Sequence, residues 1–239
     1  MPRARMTRSE LKAQDEITST LGRLTETAIN RKKEVMVGAV VLLAVAGLLF
    51  GWRTYASGRD ASAQKQLGAV ISAFHDPGVK VDKERFEKTI AEAQKTMSSY
   101  GSTHAASMAQ YYMALSQDGL GDQPNAVKNL EEVIGRGDAE VKPVAQFALA
   151  GVYKKHGEFQ KAIDVLKQLE AAGTYSKSAV AYELGNTAEA ANQKDVAQEA
   201  YSKIIKDSPD SPFRADAETA LKRMGLPIPA PTPEQVEAK

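Results

Sequence analysis

Between Val35 and Trp52 the chain runs for eighteen residues without a charge, bracketed by Arg31, Lys32, Lys33 and Glu34 before it and Arg53 after it. As a helix rising ~1.5 Å per residue, such a run spans ~27 Å, close to the ~30 Å hydrocarbon core of a bilayer. Trp52 and Tyr55 place amphipathic rings at the expected interface. A buried core helix is the weaker reading, because Val37 to Phe50 is apolar or Gly at every position and leaves no polar stripe for water. A cleavable signal sequence is disfavoured too. Thirty-four residues precede the run, the first A-x-A motif after it, Ala61-Ser62-Ala63, lies well beyond its end, and the absence of Cys rules out a lipoprotein signal.

The placement of Lys and Arg sets the expected orientation. Residues 1–34 hold eight of them (Arg3, Arg5, Arg8, Lys12, Arg23, Arg31, Lys32, Lys33), three packed against the apolar run, while Arg53, Arg59 and Lys65 are spread over the other flank. The positive side stays inside. The expected topology is therefore a single pass through a bacterial inner membrane, with a cytoplasmic N-terminus and a periplasmic C-terminal domain. A chain without cysteine is compatible with an oxidising compartment, and it has no disulfides, thiol nucleophiles or cysteine metal ligands. Residues 56–239 carry 22 basic against 25 acidic side chains, so the large part has no nucleic-acid footprint.

From Ala61 onward apolar residues recur at helical spacing in segments of 12 to 17 residues, cut at His75-Asp76-Pro77-Gly78, Tyr100-Gly101-Ser102, Gly119 to Pro124, Gly135 to Asp138, His156-Gly157, Gly173-Thr174, Asn192 and Ser208-Pro209. The segments repeat with a period of 35 to 36. Leu149-Ala150, Tyr153, Gly157, Ala162, Leu166 and Leu169 align with Leu184-Gly185, Ala188, Asn192, Ala197, Tyr201 and Ile204. A looser copy precedes them, with Met113-Ala114, Gln117, Gly121, Ala126, Leu130 and Val133 in the same columns. Small residues alternating with large ones in this way resemble the tetratricopeptide pattern, in which the small residues let paired helices approach. The expected fold is all-α: one N-terminal transmembrane helix, then a tetratricopeptide-like solenoid of helical hairpins. Its divisions are a basic tail (1–34), the transmembrane helix (35–55), the repeat domain (56–224) and a Pro-rich tail (225–239).

The flanks read as capping units. Ala61–Phe74 and Lys83–Ser99 make an entry hairpin, and Ser211–Met224 a lone final helix with a charged outer face. Beyond Gly225, Pro227, Pro229, Pro231 and Pro233 alternate through a segment that cannot be helical and serves either as an extended ligand or as an unstructured terminus. In the N-terminal tail Leu11, Ile17, Leu21, Leu24 and Ala28 share one helical face, with Ser9 as N-cap, which fits a helix on lipid or on a partner as well as a weakly ordered segment.

The sequence holds no catalytic signature. His75, His104 and His156 stand alone, without a second ligand at zinc spacing, and there is no nucleophile elbow, phosphate-binding loop, dinucleotide fingerprint or calcium loop. No enzyme activity, cofactor, metal, nucleic acid or small-molecule substrate is expected, and function should reside in a surface that binds other proteins. The repeat register puts Tyr111, Phe147 and Tyr182 at one equivalent position on the first helices of successive hairpins, where they serve either as docking groups or as packing. Met108, Lys154, Asn186 and Glu189 share that groove. Within the apolar run, Gly47 and Gly51 form a G-x-x-x-G face that permits close helix approach in lipid.

A span ending Gly51-Trp52-Arg53-x-Tyr55, followed by Ala61, Ala63 and a helical hairpin leading into tetratricopeptides, resembles the YfgM-type family of membrane-anchored periplasmic proteins, ancillary to the SecY translocon. The resemblance implies lateral association with the secretory translocon and a periplasmic domain that exchanges secreted chains with chaperones. The N-terminal tail, with Leu11-Lys12-x-x-Asp15, and the Pro-rich terminus depart from that family. Two other classes remain: an envelope scaffold for outer-membrane assembly or division, and a transmembrane signalling anchor.

Overall fold

A computed structural model describes residues 32–78, 81–136 and 138–230. The expected helix around Leu11 to Ala28 and the last residues of the Pro-rich tail lie outside the described residues. Among those described every element is helical: α1 Lys32–Phe74, α2 Asp82–Tyr100, α3 His104–Gly119, α4 Gln123–Arg136, α5 Val141–Lys155, α6 Phe159–Ala172, α7 Lys177–Ala190, α8 Lys194–Asp207 and α9 Arg214–Arg223. Contacts group the chain into two units, residues 1–58 and 59–239.

In the first unit the described segment is the N-terminal part of α1. Val40, Val41, Leu42 and Leu43, which together circle the helix, are all more than half exposed, as are Leu48, Leu49, Phe50 and Trp52. This is the one helix among the described residues long and apolar enough to cross a membrane. The helix continues past Tyr55 to Phe74. The hydroxyls that could compete with the helix are turned back into it, Thr54 Oγ1 donating to the Gly51 carbonyl at 2.9 Å and Ser57 Oγ to that of Arg53 at 2.8 Å.

In the second unit the last turns of α1 become amphipathic. Ala63, Leu67 and Val70 are buried together with Ala93 of α2 and Ala105, Ala109 and Met113 of α3, a small first core. A larger core runs from Ala114 of α3 to Leu221 of α9. The expected columns are its frame: Ala114, Leu130, Ala150, Leu166, Ala162, Ala197 and Tyr201 are all buried.

The repeat is clearest at its corners. After α3, α5 and α7 the chain turns through a left-handed residue, Gly121 at φ 82°, Gly157 at φ 78° and Asn192 at φ 58°. Each corner closes with the same two backbone hydrogen bonds. Gly121 N–H donates to Asp118 O and Asp122 N–H to Gln117 O (3.0 and 2.8 Å); Gly157 to Lys154 and Glu158 to Tyr153 follow (3.1 and 2.8 Å), then Asn192 to Glu189 and Gln193 to Ala188 (3.0 and 2.8 Å). This is the Schellman ending, which satisfies carbonyls the last turn leaves free and requires positive φ, the region open to Gly and tolerated by Asn. A fourth corner of the same form follows α9, where Gly225 sits at φ 72° and Leu226 N–H reaches Leu221 O at 2.9 Å.

Polar contacts about one repeat apart in sequence then join each hairpin to the next. Arg136 reaches the Gly101 carbonyl (3.3 Å), Gln123 bonds Glu158, Lys155 and His156 both bond Asp118 (2.9 and 3.0 Å), and Lys203 pairs with Glu170 (3.0 Å).

Candidate interaction surface

Of the first helices of the hairpins, α3 lies directly against α5, and α5 is tied to α7 through Lys154 and Glu183. Met108, Tyr111, Phe147 and Tyr182 are half-buried and pack against the larger core, each with part of its surface open. Aromatic partners arrive from the loops. Tyr175, in the loop before α7, stacks on Phe147 with ring centroids 4.9 Å apart and planes at 23°, and Phe213, just before α9, stacks on Tyr182 at 4.9 Å and 20°. Among the described residues Tyr111 has no stacked partner of this kind, and it meets Tyr112 edge-on at 5.4 Å. Burial, with lesser effects from Tyr112 and Tyr175, pushes its hydroxyl pKa up to about 12.

The polar members of the predicted groove are engaged within the domain. Lys154 pairs with Glu183 of the next hairpin at 2.9 Å. Tyr201 OH donates to Asn186 Oδ1 at 3.0 Å and to Glu189 Oε2 at 3.3 Å, and Glu189 is held in turn by Arg223, whose Nη2 lies 2.8 Å from each carboxylate oxygen. Burial first, and the Glu189 carboxylate second, raise the Tyr201 hydroxyl well above the ordinary phenol range. These side chains brace α5 to α7 and α7 to α9, and a ligand needing them would have to displace those partners.

The stacking residues Tyr175 and Phe213 were not singled out by sequence. Both stand in loops, where helical periodicity gives no signal; their spacing from Phe147 and Tyr182, 28 and 31 residues, could have flagged them. Gly47 and Gly51 stand open, with nothing within 4 Å of a side chain built at either position.

The histidines are not solitary in space. His104 Nδ1 lies 2.9 Å from Asp138 Oδ2, and His156 Nε2 3.0 Å from Asp118 Oδ1, so each joins neighbouring hairpins. Asp138 also caps α5, accepting from the Glu140 and Val141 amides at 3.1 and 3.2 Å. Burial alone would raise its carboxyl pKa, but those amides and His104 outweigh it and hold the value below the ordinary range. No group of three or more His, Cys, Asp or Glu able to hold a metal occurs among the described residues.

A tetratricopeptide repeat-like domain family profile matches residues 31–222. The chain belongs to the tetratricopeptide repeat-like domain family. Domains of this family mediate protein–protein interactions and are typically scaffolds without catalysis. No curated protein matches the sequence. Among solved structures, a putative kinesin light chain from Podosopora anserina with nearly identical TPR-like repeats is similar at 18% identity, over 69% of this chain and 85% of that one, with a TM-score of 0.55; a single-substitution variant of the same protein gives 0.54 over the same shares. The crystal structure of MamA aligns at 24% identity over 60% of this chain and 81% of that one, with a TM-score of 0.47. At 18% identity the likeness to the kinesin light chain structures is one of fold.

Proposed function

We propose that this tetratricopeptide domain binds extended or partly folded polypeptide along the row Tyr111, Phe147 and Tyr182, while the apolar part of α1 anchors it in a bacterial inner membrane with residues 56–239 in the periplasm. One observation carries the reading: an aromatic position repeated on the first helices of successive hairpins stays partly open while the polar groups around it are satisfied internally. Flat aromatic faces offer large contact area to an extended chain at low entropy cost and without strict sequence demand. Met108 borders the row; Lys154, Asn186 and Glu189 set its rim.

In this setting the protein acts as an accessory of the secretory translocon, receiving secreted chains or passing them to periplasmic chaperones. The bare apolar surface of α1, with Gly47 and Gly51 as the close-approach face, supplies lateral contact with lipid and with membrane partners. An envelope scaffold for outer-membrane assembly or division would use the same row for a folded partner. Photo-crosslinking from Tyr111 and from Gly47 in intact cells separates the two. Adducts with translocon subunits, chaperones and secreted chains support the translocon reading; adducts confined to division or barrel-assembly proteins replace it with the scaffold.

A further inference from the structure

Among the described residues the stack ends in the middle of a hairpin. Helix α9 ends in the same corner as α3, α5 and α7, with Gly225 where they have Gly121, Gly157 and Asn192, so it is by geometry the first helix of a fourth repeat. In the three earlier copies a second helix of 14 residues follows the corner, α4, α6 and α8. Here Leu226-Pro227-Ile228-Pro229 follows instead. Seven residues before each corner stands the small residue at which the second helix crosses, Ala114, Ala150 and Gly185; in α9 that position is Glu218, paired with Arg214 at 2.9 Å. A charged side chain there denies a close crossing to another helix. Even so, Leu221 is fully buried, and Leu226 packs against the core.

We propose that the segment Leu226–Ala230 takes the place of the missing second helix, lying extended along α9 and sealing the C-terminal end of the stack. Three observations support this occupant. Leu226 and Pro229 are half-buried, whereas Pro227, Ile228 and Ala230 are exposed, the three-residue period of a polyproline helix with one face against a surface. Five extended residues at ~3.1 Å each cover ~15 Å, the length of a ten-residue helix such as α9. Proline also suits the task chemically: a strap without a helical ladder leaves its amides unpaired, and Pro227 and Pro229 have none to satisfy. A polar cap beneath a strap of low chain entropy closes the solenoid without presenting a surface on which another hairpin could stack.

The test is amide hydrogen exchange on the detergent-solubilised protein in three lengths: the whole chain, one stopped after Ala230 and one stopped after Gly225. The chain ending at Ala230 should match the whole protein. The chain ending at Gly225 should exchange roughly fivefold faster in α9 and the end of α8, with α3, α5 and α7 unchanged. Pro227→Gly together with Pro229→Gly, which keeps Leu226 in place, should show the same pattern more weakly. If all lengths exchange alike in α9, the segment is a free tail and the proposal fails. An unchanged double-glycine variant overturns it as well, since the effect would then belong to Leu226 alone. It fails equally if the change appears in α5 and α7, which would place the segment over the aromatic row.

Discussion

A side chain on Gly185 would place its Cβ 2.5 Å from Cε1 of Tyr201, so α7 and α8 cross at a distance that glycine permits and alanine does not. The equivalent positions of the preceding hairpins hold Ala150 and Leu166, and Ala114 and Leu130, all buried. The pair of residues, rather than either one, is matched in size. Gly185→Ala should therefore destabilise the domain by ~1–3 kcal/mol through overpacking. Adding Tyr201→Leu, which recreates the composition of the other two crossings, should recover most of the loss, because alanine also favours the helix by ~1 kcal/mol over glycine. Thermal melts of the single and double variants check this, and a double variant worse than the sum of its parts would contradict it.

Titration gives a second expectation. An acid whose folded pKa is raised keeps its proton longer in the native state, so its stabilising effect is complete below the unfolded pKa and is lost as pH rises through the folded one. For Tyr111 the window runs from the ordinary 10.0 to about 12. Spectrophotometric titration of the folded protein should show a late-ionising component that Tyr111→Phe diminishes, with stability falling across the same interval. A Tyr111 that ionises with the exposed tyrosines would show that the row is more open than its packing indicates.

Asp138 behaves in the opposite sense. Its folded pKa lies below the ordinary 3.8, so its contribution is present above that value and lost as pH falls through the lowered folded pKa. Removing the cap with Asp138→Ala should cost ~1 kcal/mol near neutrality. The gap between the variant and the parent should close in strong acid. A difference that persists unchanged at the acid end would assign the effect to something other than the carboxylate.

The fold was legible where it depends on local pattern. Apolar spacing found the helices, and the small and large columns found the crossings. Gly121, Gly157 and Asn192 marked the corners, since a left-handed residue after a helix is a requirement of the backbone alone. What depends on the neighbouring hairpin was not legible. His104 and His156 read as isolated because their partners, Asp138 and Asp118, stand 34 and 38 residues away. The internal partners of Lys154 and Glu189, Glu183 and Arg223, stand 29 and 34 residues away and were hidden in the same way.

Whether the aromatic row holds polypeptide is decided by binding of an unfolded secreted chain to the membrane-embedded protein carrying Tyr111→Ala, Phe147→Ala and Tyr182→Ala, with circular dichroism recorded beside it. The row predicts a loss on the order of 1–2 kcal/mol per aromatic anchor, with the helical signal retained. Binding that survives the triple substitution in a protein that stays helical would contradict the account and move the interaction to α1, with Gly47 and Gly51 at its face.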